Sequence, residues 1–167
     1  MSVENHSRIR IRAARPGDLA ALDALFARSY PRQLRADYPP SIMVTVLPLI
    51  SRANPGLLSS GTFYVAETEN GALLGAGGWT RSRRRPRQGD IRHVVTDDRA
   101  LRRGIGRAVM ATVFETERAD GQRMLACQST RTAEPFYTAM GFRRLGAVEV
   151  PLRPGIVFPA IEMIKRL

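Results

Sequence analysis

The segment Val94-Val95-Thr96-Asp97-Asp98-Arg99-Ala100-Leu101-Arg102-Arg103-Gly104-Ile105-Gly106-Arg107 decides how the rest of the chain is read. Two valines and a threonine close an extended run, a short polar stretch follows, and two glycines open a segment of helical spacing. A helix N-terminus presents about four unpaired N–H groups and the positive end of the helix dipole. Glycine lets an anionic oxygen approach that backbone closely. Arg102, Arg103 and Arg107 add charge-assisted hydrogen bonds. From these properties Arg102, Arg103, Gly104, Ile105, Gly106 and Arg107 read as a cradle for a diphosphate. The segment lacks the Gly-Lys-Ser/Thr ending of a P-loop and the third glycine of a dinucleotide fingerprint. The alternative reading is that the two glycines only allow tight packing of a helix on a sheet.

Downstream of the cradle, Ile105, Val109, Val113 and Phe114 mark the apolar face of a helix over Arg102–Gly121. A short strand is expected over Arg123–Ser129, then a short helix over Thr132–Met140 stopped by Gly141. Two terminal strands follow, Phe142–Val150 and Ile156–Ile164. Upstream, Asp90–Thr96 is a strand preceded by an arginine-rich loop, Arg81–Gln88. Thr62–Thr68 and Ala72–Arg81 form a hairpin, and Asn70-Gly71 predicts a two-residue turn with φ > 0 at both positions. Arg8–Ala14 alternates apolar residues with arginines and reads as the first strand. Leu19, Leu22, Leu25 and Phe26 follow at helical spacing, with Pro16 tolerated in the first turn, and this helix is expected to run to about Tyr30. A second helix carries Ile42, Val46, Leu49 and Ile50, is kinked at Pro48, and ends at Asn54-Pro55-Gly56. The order gives seven strands and four helices. A hairpin run followed by strand–helix–strand implies an α/β fold with a mixed sheet and helices on its faces. One domain over residues 1–167 is expected, with residues 1–7 a disordered N-terminus.

The chain has 26 Lys+Arg against 15 Asp+Glu, a net charge of +11, and Lys165 is its sole lysine. Such a surface attracts phosphates or nucleic acid, although a GC-rich coding sequence produces the same arginine bias. The arginines are spread along the chain, with no helix-turn-helix, zinc-finger or RNA-binding aromatic pattern, which disfavours a nucleic-acid partner. One cysteine, Cys127, excludes an internal disulfide, and two histidines with it make a metal cluster improbable, so no metal site is expected. No apolar run of about 20 residues and no leader-like start is seen. A cytoplasmic protein without a membrane partner is therefore expected, and a homodimer is left open.

The stretch Gly89–Gly106 (GDIRHVVTDDRALRRGIG), followed by RAVM and then by AEPFYTAMGF (Ala133–Phe142), resembles the Gcn5-related N-acetyltransferases. That family carries Q/R-x-x-G-x-G/A at the start of its central helix and a later aromatic–Tyr…Gly-Phe block. The resemblance follows element order over residues 8–166. It implies a V-shaped mixed sheet splayed between its fourth and fifth strands, with acetyl-CoA as co-substrate in the split. It also implies that main-chain groups of Val94, Val95 and Thr96 hold the pantetheine and that the Arg102–Arg107 loop holds the pyrophosphate. Three positions depart from the family pattern. Leu101 stands at the first Q/R place, Asp98 replaces a common proline, and Thr130 stands where an asparagine that touches the cofactor is frequent.

Acetyl transfer to nitrogen needs a neutral amine. A lysine-like amine with a pKa of about 10.4 gives up roughly 4.6 kcal/mol to be neutral at pH 7, so a general base is expected. The resemblance assigns that role to Asp90, through water, where family members carry a glutamate. By the resemblance, Tyr137 stands at the place of the tyrosine that faces the CoA sulfur and protonates the departing thiolate; the alternative reading is that Phe136, Tyr137 and Met140 form the core face of a short helix. His93 is a weaker candidate base, placed by strand parity on the face opposite Asp90. Cys127 lacks a visible base partner and reads as core. Trp79 reads as either a wall of the acceptor pocket or core. The acceptor is expected to be a small-molecule primary amine, with a protein N-terminal or lysine amine as the alternative. A basic nucleic-acid-binding protein and a non-catalytic acyl-CoA sensor are the readings from other classes.

Overall fold

Alternating apolar residues in the N-terminal half and a long apolar helix stripe after the glycines build a two-sided sheet. The computed structural model describes residues 8–167; residues 1–7, expected to be disordered, lie outside the described residues. Seven strands form one sheet: β1 (Arg10–Ala13), β2 (Phe63–Glu67), β3 (Leu73–Arg81), β4 (Gln88–Thr96), β5 (Met124–Ser129), β6 (Arg143–Arg153) and β7 (Ile156–Arg166), in the spatial order β1-β2-β3-β4-β5-β7-β6. Every neighbouring pair is antiparallel except β4 and β5. Five α-helices accompany it: α1 (Leu19–Leu34), α2 (Pro40–Ile50), α3 (Pro55–Leu58), α4 (Ile105–Ala119) and α5 (Glu134–Ala139).

Helices α1 and α3 cover one face of the β2–β4 sheet, where Leu22, Leu25, Phe26, Leu57 and Leu58 pack on Phe63, Val65, Ala76 and Val95. Helix α4 covers the other face, where Ile105, Val109, Met110 and Val113 meet Tyr64, Ala66, Trp79, Leu125 and Met163. A third cluster joins the end of α1 and α2 to the tip of the β6–β7 hairpin through Leu34, Tyr38, Val46 and Phe158. There Tyr38 Oη donates to the Pro159 carbonyl at 2.7 Å and accepts from the Arg131 N–H at 2.9 Å.

The structure corrects several sequence expectations. Helix α1 continues past Tyr30 through Pro31. Proline removes one helical hydrogen bond, but Leu34, one turn on, is buried in the third cluster and anchors the extra turn. Asn54-Pro55-Gly56 does not simply end a helix. Asn54 Oδ1 accepts from Gly56 N–H at 2.9 Å and caps α3, so the described residues hold five α-helices rather than four. Helix α4 starts at Ile105 rather than Arg102, because Arg102 (φ 64°) and Gly104 (φ 75°) are left-handed. In the β2–β3 turn only Gly71 has positive φ (83°). Gly71 N–H reaches the Thr68 carbonyl and Thr68 N–H the Ala72 carbonyl, so the link is a longer turn ending in a glycine, not a two-residue one.

Candidate active site

Pairing parity along β4 defines an open edge. Strands β4 and β5 are joined only over Gln88–Asp90 against Met124–Ala126. Beyond Asp90 the strands diverge, and Ile91–Thr96 has no strand partner on that side. In an antiparallel ladder the N–H and C=O of successive residues point to alternate edges. Asp97 N–H bonds the Leu74 carbonyl on β3, so Val95 also faces β3, whereas Thr96 and Val94 face the split. Of the three strand residues expected to hold pantetheine, Val94 and Thr96 thus offer backbone groups to the split. Val95 instead buries its side chain under α1 and turns its backbone to β3. The Thr96 carbonyl takes a 2.6 Å hydrogen bond from Gln33 Nε2 of α1.

The cradle lies at the end of this edge. No side chain caps the N-terminus of α4. Arg102, Arg103, Gly104 and Arg107 are exposed, while Ile105 is buried in the core below them. Left-handed residues at 102 and 104 alternate with Arg103, a backbone arrangement that gathers N–H groups around an anion. The two glycines serve different ends. Gly104 supplies a left-handed turn with open space around it. A Cβ at Gly106 would stand 3.2 Å from the Phe136 ring and 3.5 Å from Thr96 Oγ1. The packing reading therefore holds at Gly106, and the contact ties cradle, strand and α5 together. A shallow cavity of about 440 Å³, lined by Arg32, Gln33, Arg35, Asp98 and Leu101, adjoins the cradle.

Tyr137 projects from α5 into the core beside Phe136 and Phe142, and is 5% exposed. Burial first, then the neighbouring Cys127 and Tyr30, push its hydroxyl well above the ordinary phenol range. It stays protonated at neutral pH, as a proton donor must. Cys127 is buried on β5 and its thiol is pushed up to about 12 by burial, which leaves it un-ionised. Trp79 is core: its ring is 2% exposed and Nε1 donates to Thr116 Oγ1 at 3.1 Å. Thr130 spends its hydroxyl locally, accepting from the Ala133 N–H at 3.0 Å ahead of α5.

Asp90 is the last residue of β4 paired with β5, at the apex of the V, and accepts from Gln88 Nε2 at 3.1 Å. Parity places it opposite His93, and here the structure disagrees. Ala76 pairs with Val95 but Gly78 with Arg92, so His93 and Val94 together oppose Gly77. This bulge shifts the alternation by one residue. Gly89 and Ile91 face α4, so Asp90 faces α1; Arg92, whose Nε donates to Thr80 Oγ1, and His93, whose ring lies on Phe26, share that face. Tyr30 Oη sits 3.1 Å from His93 Nδ1. Burial, and secondarily Arg92, lower the His93 pKa to about 4, so the ring is neutral.

Two further groups had not been singled out. Asp97 is fully buried and receives Arg28 Nη2 at 2.6 Å and the Arg99 N–H at 2.9 Å. Burial alone would raise its pKa, but the Arg99 and Arg28 bonds outweigh that and hold it well below the carboxylate range. The pair locks α1 to the start of the cradle. Glu117 is fully buried against Gly89, and neither carboxyl oxygen has a partner among the described residues. Burial, then Asp90 and Asp120, push it up to about 8. Among the described residues no three His, Cys, Asp or Glu side chains gather as metal ligands would, and no helix is long and apolar enough to cross a membrane.

Residues 50–165 match the family model described as an acetyltransferase (GNAT) domain. No curated protein sequence matches the chain. Among solved structures, the chain is similar to the PaiA N-acetyltransferase of Thermoplasma acidophilum in complex with coenzyme A. The identity is 14%, with 96% of this chain and 99% of that one covered and a TM-score of 0.72. It is similar to a GCN5-related N-acetyltransferase from Rhodopseudomonas palustris at 18% identity, covering 100% and 99% with a TM-score of 0.73. It also resembles N-acetylglutamate synthase of Neisseria gonorrhoeae, complexed with coenzyme A and N-acetylglutamate. There the identity is 18%, the chain covers 36% of that protein and 98% of itself, and the TM-score is 0.65.

Proposed function

The chain belongs to the GNAT acetyltransferase family, and from that premise we propose that it moves the acetyl group of acetyl-CoA to a primary amine of a small molecule by direct attack. The whole chain is read as one acetyltransferase domain. The observation that carries the reading is the continuity of an unpaired β4 edge with an uncapped, arginine-flanked helix N-terminus. A molecule with an amide-bearing arm and a diphosphate fits that sequence of donors and acceptors. Val94 and Thr96 would hold the arm. Backbone N–H groups at Gly104, Ile105 and Gly106, with Arg102, Arg103 and Arg107, would hold the diphosphate. Thr130, with its hydroxyl spent on Ala133, would contribute at most a main-chain contact.

Acetyl-CoA supplies an acetyl thioester, so the reaction forms an N–C bond, breaks a C–S bond, takes a proton from the amine and returns one to sulfur. Asp90 at the apex of the split would take the amine proton through a water molecule. Tyr137, kept protonated by burial, would give a proton to sulfur. The Tyr30–Phe26–His93 group on the α1 face of β4 would border the acceptor.

The deciding experiment is a thermal-shift titration with acetyl-CoA, followed by thiol release across a panel of amines, amino acids and short peptides. A ligand that binds only the folded state stabilises by about 2.7 kcal/mol at one hundred times its Kd. No shift at millimolar acetyl-CoA overturns the reading. Release with peptides and none with small amines moves the acceptor to protein.

A further inference from the structure

His93 holds a left-handed backbone (φ 44°), the only non-glycine residue within a described strand to do so. Such a conformation is costly for a residue with a side chain and persists where the surroundings impose it. Three contacts impose it here. The imidazole lies flat on Phe26, with centroids 5.3 Å apart and planes 18° apart. Tyr30 Oη meets Nδ1 at 3.1 Å. Phe26 and Tyr30 are themselves locked edge to face at 5.7 Å on α1, and Phe26 is fully buried. On the neighbouring strand, Gly77 leaves the room the bulge needs: a Cβ there would stand 2.9 Å from Val94 Cγ2 and 3.0 Å from Val109 Cγ1.

The bulge has a directional effect. Arg92 and Val95 both pair with β3, so the two residues between them, His93 and Val94, both turn their N–H groups to the open edge. A regular strand would offer alternate N–H groups only. We propose that His93 is a positioning residue: the Phe26–Tyr30 grip on its ring holds the bulge that aims two consecutive β4 N–H groups at the carbonyl oxygen of the bound thioester. This rests on the acetyl-CoA reading above. It gives the α1 aromatic residues a task in cofactor recognition although they lie on the face of the sheet opposite α4. Neutral His93 fits an anchor rather than a proton acceptor, because a ring with its pKa near 4 is a weak base at pH 7.

The test needs no acceptor amine. Dissociation constants for CoA and for acetyl-CoA are measured on the parent, Tyr30→Phe, His93→Asn and His93→Ala. Isotope-edited infrared spectra of acetyl-CoA labelled with ¹³C at the carbonyl are recorded on each. The parent is expected to prefer acetyl-CoA over CoA by several-fold and to shift the carbonyl band to lower frequency. His93→Ala should keep CoA affinity within a few-fold but lose both the preference and the band shift, since alanine neither favours positive φ nor meets Tyr30. Asparagine tolerates positive φ and places an acceptor near the Nδ1 position, so His93→Asn should retain most of both signals. Tyr30→Phe should lose part. A parent that binds neither ligand removes the acetyl-CoA reading itself. A parent that binds both, with an unshifted band or a shift unchanged in His93→Ala, overturns the anchor. So does His93→Asn behaving like His93→Ala.

Discussion

The two faces of β4 were built by different kinds of information. On the α4 face, strand, loop, glycines and helix start follow one another within a few residues, and local rules for extended runs and helix ends read them directly. On the α1 face, Tyr30 and His93 meet across 63 positions of sequence, and Phe26 supplies the stacking surface from the same helix. The first face can be read from spacing. The second exists only once the sheet has placed α1 over the bulge. A cradle-like motif can therefore be local in sequence while the contacts that shape the strand beside it are not.

That contrast is open to attack from the largest effect down. Tyr137→Phe removes only a hydroxyl from a packed ring, and turnover should fall roughly 10²–10⁴-fold while acetyl-CoA affinity stays nearly unchanged. Steady-state kinetics with an acceptor identified by the amine panel checks it, and turnover within a few-fold of the parent would reduce Tyr137 to a core residue.

Glu117 tests the α4 face from beneath. Its carboxyl sits near pH 8 in the folded protein against about 4.5 when unfolded. The folded state therefore holds the proton more tightly. That stabilisation is complete below about pH 4.5 and fades as pH rises through 8. Glu117→Gln lacks this slope and should be more stable than the parent by roughly 3–5 kcal/mol above pH 9, with little difference at pH 4. Urea midpoints between pH 4 and 9.5 measure it, and parallel profiles would contradict it.

Gly104→Val forces a β-branched residue into a left-handed turn (φ 75°) with no steric neighbour to blame. Strain of about 1–3 kcal/mol should weaken CoA binding roughly five- to hundredfold. Calorimetric titration decides, and unchanged affinity would displace the cradle.

The smallest effect is expected in the arginine loop. Arg81 is already paired with Asp120 at 2.5 Å, whereas Arg83, Arg84, Arg85 and Arg87 are exposed. Replacing those four by serine should leave acetyl-CoA affinity within a few-fold. If they gripped duplex DNA instead, the parent would show a slope of log K against log salt of about −3.6, lost in the variant. A filter-binding salt series separates the outcomes.

The seven strands and the mixed sheet were legible because hairpin signals and helix stripes agree with one another; the V came only with the family resemblance, and the spatial order of the strands was not read from the sequence. Helix ends were less legible. Pro31 looks like a stop until Leu34 is seen buried against another element. Glu117 did leave a trace: Ile105, Val109 and Val113 step by four, and the next step is a carboxylate on an apolar stripe. The relation of Asp90 to His93 left none. Parity holds only for regular strands, and the bulge arises where Gly77, sixteen positions upstream of His93, leaves space for Val94.

The short seam between β4 and β5 has a consequence for how the protein breathes. The sheet is two ladders, β1–β4 and β5–β7–β6, stitched along their shared border by three residue pairs at one end. At the other end Tyr38, in the link between α1 and α2, is bonded to β7 and to the chain after β5. Between those fastenings the amides of His93, Val94 and Thr96 lack a strand partner, so their protons should exchange with solvent far faster than those of Val65 or Ala76 in the ladder beside them. A cofactor laid along that border acts as the missing rungs. Its arrival should slow exchange on both ladders at once and turn two loosely joined leaves into one plate.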